Sequence, residues 1–307
     1  MDLAAEPWAK ALPADARPLL GNDGQIQMWA PGSTVIGAIY NRATLARAGV
    51  TIPRTWPELL AACAKLKQAG IVPIAVGNQT PWVTQLIDYA IAPSIAYKEQ
   101  PDLARQMLAG RATFATSGWR ETLERYVELQ ARGCFQPDPN GTTIERQEAL
   151  VARGEAAMAI AVAARMPFVR AAAPGADIGI FPFPAADRAE DLLIPAGIAL
   201  GLGISRTSKH IPEAKAFLAY LARPETLREF NQDGFVPLDL DPRSGLPGYL
   251  EPFVPYFEAK RTVPFMDQLW PNADTQQAHF AAAQDLLAGR ETVDGALERL
   301  DRAYRRR

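Results

Sequence analysis

At 307 residues, with 48% hydrophobic and 21% charged side chains, the chain can bury a substantial core and exceeds the usual size of one compact domain. Its formal net charge of −2 excludes a global field favouring nucleic acid or an anionic membrane. The longest apolar run, Ala156 to Ala164, is too short to span a bilayer, and the opening MDLAAEPWAK lacks the apolar segment of a secretory signal.

Taken in chain order, the first clear unit is the strand TVIGAIYN (Thr34 to Asn41), followed by the short helix RATLARAG, which Gly49 ends. Thr55 and Glu58 then form a capping box, with Pro57 in the first turn, and Leu59, Leu60, Cys63 and Leu66 make an apolar stripe at helical spacing. Gly70 stops that helix, and IVPIAV follows as a strand buried on both faces. GWRETLERYVELQARG is an amphipathic helix, and TTIERQEALVARGE is another that leads into the strand AAMAIAV. ADIGIFPFP reads as a strand stopped by prolines and AGIALGLGIS as a Gly-rich strand. IPEAKAFLAYLA and RPETLREFNQ are consecutive helices, and DLDPRSG (Asp239 to Gly245) reads as a turn rather than a calcium loop. TQQAHFAAAQDLLAG and TVDGALERLDRAYRR close the chain as helices, with Arg302, Arg305, Arg306 and Arg307 as a solvated basic tail. Helices alternating with short apolar strands predict an α/β fold with an open, mostly parallel sheet.

Enzymatic motifs are largely missing. The sequence has no GxSxG elbow, no phosphate-binding GxxxxGK[ST] loop and no HExxH. His210 and His279 lack partners at ligand spacing and read as surface or helix-end residues; no metal or cofactor is expected. Gly197, Gly201 and Gly203 do not fit GxGxxG and mark a close backbone approach at a lobe boundary. Cys63 reads as a small buried hydrophobe, and a bridge to Cys134 stays open.

The informative feature is a set of aromatic and amide residues at strand ends, where open α/β sheets hold their ligands. One strand ends in Gly77, Asn78, Gln79, Thr80 and Trp82; another ends in Ala163, Ala164 and Arg165, beside a helix N-terminus. Trp29, Ser33 and Thr34 precede the first strand, at a natural crossing between lobes, and Trp270 precedes the penultimate helix. An indole beside short polar groups suits a sugar ring, whose C–H face stacks while its hydroxyls take directed hydrogen bonds. Each tryptophan alone is explained equally well by core packing. Trp82 and Trp270 gain weight because both sit in polar, Pro-marked loops.

In order and spacing, DGQIQMWAPGSTVIGAIYNRATLARAGVTIPRTWPELLAACAKLKQAGIVPIAVG, ALVARGEAAMAIA, DIGIFPFP, GISRTSKHIPEAKAFLAYLARPETLREF, GFVPL and LLAGRETVDGALERL resemble the extracellular solute-binding proteins of ABC importers, in the maltose-binding-like sugar-binding cluster. The resemblance covers nearly the whole chain. It implies a type II periplasmic-binding fold of two α/β lobes with a hinge and an interlobe cleft, the first lobe incomplete. The lobes would fall as residues 1–34 (a remnant of the first lobe), 35–195 (the second lobe), 196–262 (the first lobe again) and 263–307 (hinge-proximal and C-terminal helices). Ligand contacts would come from Trp29, Ser33, Thr34, Asn78, Thr80, Trp82, Arg165, Trp270 and Gln276. The protein would be a monomeric, non-enzymatic carrier outside the cytoplasm, passing a carbohydrate to an ABC permease, with no nucleic-acid partner.

Two departures carry expectations of their own. The first βα units of relatives have no counterpart before Met1, so the chain reads as truncated, with first-lobe apolar surface left exposed. Many relatives carry a sugar-stacking Trp after the strand corresponding to AAMAIAV. Here Arg165 stands there instead and would favour an acidic or phosphorylated ligand. A carbohydrate-active enzyme on the same scaffold and a non-binding interaction module remain as rivals.

Overall fold

A computed structural model of the chain describes residues 1–14, 16–238 and 246–306. The turn expected at Asp239–Gly245 and the last arginine, Arg307, lie outside these residues. The longer helices are α1 (Trp56–Gln68), α2 (Leu86–Ala92), α3 (Trp119–Ala131), α4 (Ile144–Ala152), α5 (Met166–Ala172), α6 (Ile211–Leu221), α7 (Pro224–Gln232), α8 (Ala273–Leu287) and α9 (Val293–Tyr304). The strands are β1 (Thr34–Asn41), β2 (Val72–Ala75), β3 (Ala156–Val162), β4 (Ile178–Phe181), β5 (Ile194–Gly197) and β6 (Thr262–Val263). Among the described residues no helix is long and apolar enough to cross a membrane.

Helices begin where a side chain can satisfy free backbone donors. Thr55 caps α1 by accepting from the Glu58 N–H at 3.4 Å, while Glu58 Oε2 accepts from the Arg54 N–H at 2.7 Å, one residue earlier than a standard capping box. Thr143, Asn272 and Thr292 cap α4, α8 and α9 in the same way.

β1 organises the sheet. All eight of its residues are buried, and it runs antiparallel to β3, β4 and β5. Among the described strands, β2 with β3 and β5 with β6 pair in parallel. The sheet is therefore mixed, not mostly parallel. Strands buried on both faces are continuous apolar runs in either direction, so composition carries no sign of polarity. The Gly-rich run also departs from expectation. β5 stops at Gly197, where the Phe265 ring leaves only 2.7 Å for a Cβ atom, and beyond it an isolated bridge pairs Leu202 with Trp29.

Alternation along β1 divides the core. Ile36, Ala38 and Tyr40 face one cluster with Leu59, Leu66 and Trp119; Val35 and Ile39 face another with Val151, Leu250 and Phe253. Each buried Val, Leu, Ile or Phe among these contributes roughly 1.5–3 kcal/mol through burial. Cys63 and Cys134 lie buried in the first cluster as neighbouring free thiols. A third cluster forms a smaller body, with Leu3, Leu20, Ile26 and Trp29 packed against Leu218 and Leu221.

The two bodies meet at the start of β1. Ser33 pairs with Val236, and Thr34 Oγ1 donates to the Gly234 carbonyl at 2.9 Å. Gly234 has φ +87°, and a Cβ there would lie 2.6 Å from the backbone of Ala163 at the end of β3. Both the dihedral and the contact demand glycine. Gly234→Ala is therefore expected to remove about 1–3 kcal/mol of stability in chemical denaturation. Gly248→Ala, where a Cβ meets open space, should stay within about 0.5 kcal/mol of wild type.

Candidate ligand-binding site

A cavity of about 760 Å³ lies where the bodies face each other, beyond the carboxyl ends of β2 and β3. The larger body supplies Trp82, Gln85, Tyr89, Arg165, Asp267 and Gln276 to its wall. The smaller one supplies Ile198, Leu200, Phe230, Asp233 and Phe235. One wall is thus aromatic and amide-rich, and the other is largely apolar.

Three of the nine residues expected at the site line this cavity: Trp82, Arg165 and Gln276. Trp82 is half-buried at the mouth of α2, leaving part of its indole open. Gln276, in the first turn of α8, donates from Nε2 to Gln85 Oε1 at 3.2 Å.

The other six lie elsewhere, each for a visible reason. Trp29 is buried in the small body, edge-on to Phe230 with ring centroids 5.7 Å apart, one layer behind the wall. Ser33 and Thr34 are occupied by Val236 and Gly234, joining the bodies. Asn78 is buried and donates to the Tyr126 hydroxyl at 3.0 Å. Thr80 accepts from the Ile144 N–H at 3.1 Å, at the start of α4. Trp270 packs edge-on against Tyr89 and Phe114, behind the cavity rather than in it. Its loop is polar, but the ring turns into the core beneath α2 and α8.

The wall also holds residues the sequence reading missed. Trp82, Gln85, Leu86 and Tyr89 are spaced i, i+3, i+4 and i+7, one side of the short 3₁₀ turn Pro81–Val83 and the α2 helix that follows it. That spacing was available in PWVTQLIDY and went unused. His279, expected at the surface or a helix end, is fully buried on α8, with Nε2 3.1 Å from Asp88 Oδ2. Its position one turn beyond Gln276 puts it on the inward face of the helix.

Charge in the cavity differs from expectation as well. Arg165 Nε donates to Glu148 Oε1 at 2.5 Å, and its guanidinium lies 3.8 Å above the Phe168 ring. Its positive charge is therefore matched within the protein, which removes the reason to expect an acidic or phosphorylated ligand. Asp267 faces the cavity with its carboxyl held above the ordinary range by desolvation, against the pull of the adjacent Tyr89 hydroxyl.

Comparison with known proteins identifies the family and the fold. The sequence pattern of the bacterial extracellular solute-binding protein family matches residues 2–227, and the chain belongs to that family. It is 22% identical over 310 residues to the melibiose/raffinose/stachyose-binding protein MelE of Bacillus subtilis, covering 99% of this chain and 72% of that one. It is 24% identical over 202 residues to a multiple sugar-binding protein of Streptococcus mutans, covering 64% of this chain and 47% of the relative. A crystal structure of a Bacillus licheniformis sugar transporter in complex with stachyose superposes with a TM-score of 0.80 at 19% identity. That match covers 99% of this chain and 80% of that one, and it is a likeness of fold.

The Arg165–Glu148 pair gives a test of this charge arrangement. Desolvation raises the Glu148 carboxyl, and Arg165 opposes the rise. A raised carboxyl binds its proton more readily folded than unfolded. The stability it carries is complete below about pH 4.3 and is lost as pH climbs through the raised value. Arg165→Ala should cost about 2–3 kcal/mol near neutral pH, less than a fully buried pair because Arg165 is 20% exposed. The gap in melting temperature from wild type should narrow as pH falls and Glu148 takes up its proton.

Proposed function

We propose that this protein captures an uncharged oligosaccharide in the cavity between its two bodies and delivers it, chemically unchanged, to a membrane permease outside the cytoplasm. The carrying observation is the half-exposed Trp82 indole beside the Gln85–Gln276 amide pair and Asp267 in one wall. The indole offers a face for the C–H surface of a sugar, while amides and carboxylate offer directed partners for its hydroxyls. A cavity of about 760 Å³ is within the range of small-ligand clefts. Asp233 and Asp267, with the Arg165 charge already matched by Glu148, disfavour anionic sugars.

Closure of the bodies about the start of β1 would bring Phe230 and Phe235 toward the amide wall and would be the state a permease recognises. In this reading the protein acts as a monomer, without nucleic acid. Residues 1–34 and 196 to about 238 form one lobe, residues 35–195 the other, and 263–307 lie beside the hinge. The separate cluster of Leu3, Leu20 and Leu218 supports the first lobe. Leu250 and Phe253 pack on the sheet and argue for ending it before residue 246.

Isothermal titration with raffinose and stachyose, against galacturonic-acid oligomers, tests the proposal. Saturable binding of a neutral sugar and little response to the acidic series are expected. Trp82→Ala should weaken binding at least about tenfold, or about 1.4 kcal/mol. A broad panel of neutral sugars that neither binds nor shifts the melting temperature would overturn it.

A further inference from the structure

Behind the amide wall, two cross-helix contacts form a ladder. Gln85, just before α2, and Gln276 on α8 meet at the cavity, with Nε2 to Oε1 at 3.2 Å. Three residues further along each helix, Asp88 and His279 meet at 3.1 Å, both at 0% side-chain exposure. Spacing of three residues places each pair on one face of its helix, so the buried pair lies one turn beneath the cavity pair.

His279 is held on its other sides by rings. Tyr89 stacks on it with centroids 5.7 Å apart and planes 24° apart, and Trp119 and Trp270 meet its edges at 5.7 Å. Tyr89 itself lines the cavity. Both polar and aromatic parts of the wall therefore rest on this one imidazole. The nearby titratable groups are Asp267, toward His279, and the Tyr126 phenol, toward Asp88.

We propose that Asp88 and His279 are positioning residues for ligand binding: their contact sets the register of α2 against α8, so that Gln85 and Gln276 present a joined pair of amides to the ligand. Neither residue touches the cavity. The inference rests on the cavity being the binding site, and its test separates the two readings.

The test uses the intact chain, ¹⁵N-labelled and ligand-free, with side-chain amide signals assigned through Gln85→Ala and Gln276→Ala. In wild type the Gln85 and Gln276 amide signals should be dispersed and slow to exchange. In Asp88→Leu/His279→Phe, an apolar pair of a kind that often keeps or raises stability, both signals should move to the positions of free glutamine. Asp88→Asn, which keeps a polar side chain of the same size against His279, should leave them near wild type. Raffinose is the binding probe. The double variant should bind it about tenfold more weakly, and adding the same changes to a Gln85→Ala/Gln276→Ala background should produce no further loss.

A folded double variant with wild-type amide signals would overturn the inference. Equal loss of raffinose affinity in both backgrounds would do so too, since a general structural role acts without the amides. If wild type binds no neutral sugar, the carrier reading fails, and the amide signals still decide whether Asp88 and His279 position the wall.

Discussion

The start of β1 is the constraint on which the rest of the molecule depends. This strand is buried throughout and runs antiparallel to three neighbours, so its register leaves little freedom to the sheet. A slip of one residue would send Ile36, Ala38 and Tyr40 into the cluster built for Val35 and Ile39. At its first residue, Thr34 binds Gly234, and Gly234 in turn meets the end of β3 with no room for a side chain. The small body is thereby docked where β3 ends in Ala163, Ala164 and Arg165. Because β1 is antiparallel to β3, its amino end shares an edge with the carboxyl end of β3. The cavity opens at that edge, so even in a mixed sheet it lies beyond the carboxyl end of a strand.

The cavity's chemistry follows from what the protein has already used. Arg165 is spent on Glu148 and on the face of Phe168, and Thr34, Asn78 and Thr80 are spent on backbone or tyrosine partners. What stays available is the Trp82 surface, the two glutamines and the carboxylates of Asp233 and Asp267. A group that is satisfied inside the fold is costly to recruit for a ligand, since the abandoned partner must be resolvated or left unpaired. The apolar Phe230 and Phe235 side adds surface to be desolvated without adding charge.

How far the sequence anticipated this depends on the range of the interaction involved. Helix starts were legible because a cap and its donor are three residues apart, as with Thr55 and Glu58 or Asn272 and Thr275. Strands were legible as apolar runs, but their directions were not. Of the residues lining the cavity, Trp82 was legible because Pro81 and a polar loop hold it near the surface, and Gln276 came through the family resemblance. Trp270 has similar local signals, yet it is buried, because Tyr89, Phe114 and His279 converge on it from distant parts of the chain. Whether a loop tryptophan turns inward is decided by partners that no local window contains. Gln85 and Tyr89 were legible in principle, through their helical spacing from Trp82.

The burial of His279 deserves a physical reason, since polar pairs in a core are seldom favourable on balance. Desolvation raises the Asp88 carboxyl despite His279 beside it, a sign that the pair is held at a cost. Two leucines would fill similar space, but apolar side chains pack in many registers. Asp88 and His279 meet at 3.1 Å in one, and the rings of Tyr89, Trp119 and Trp270 leave the imidazole little room to seek another. One turn away, Gln85 and Gln276 meet only if that same register holds. A contact that stabilises little but selects one arrangement of α2 against α8 suits a wall whose value lies in where its amides point.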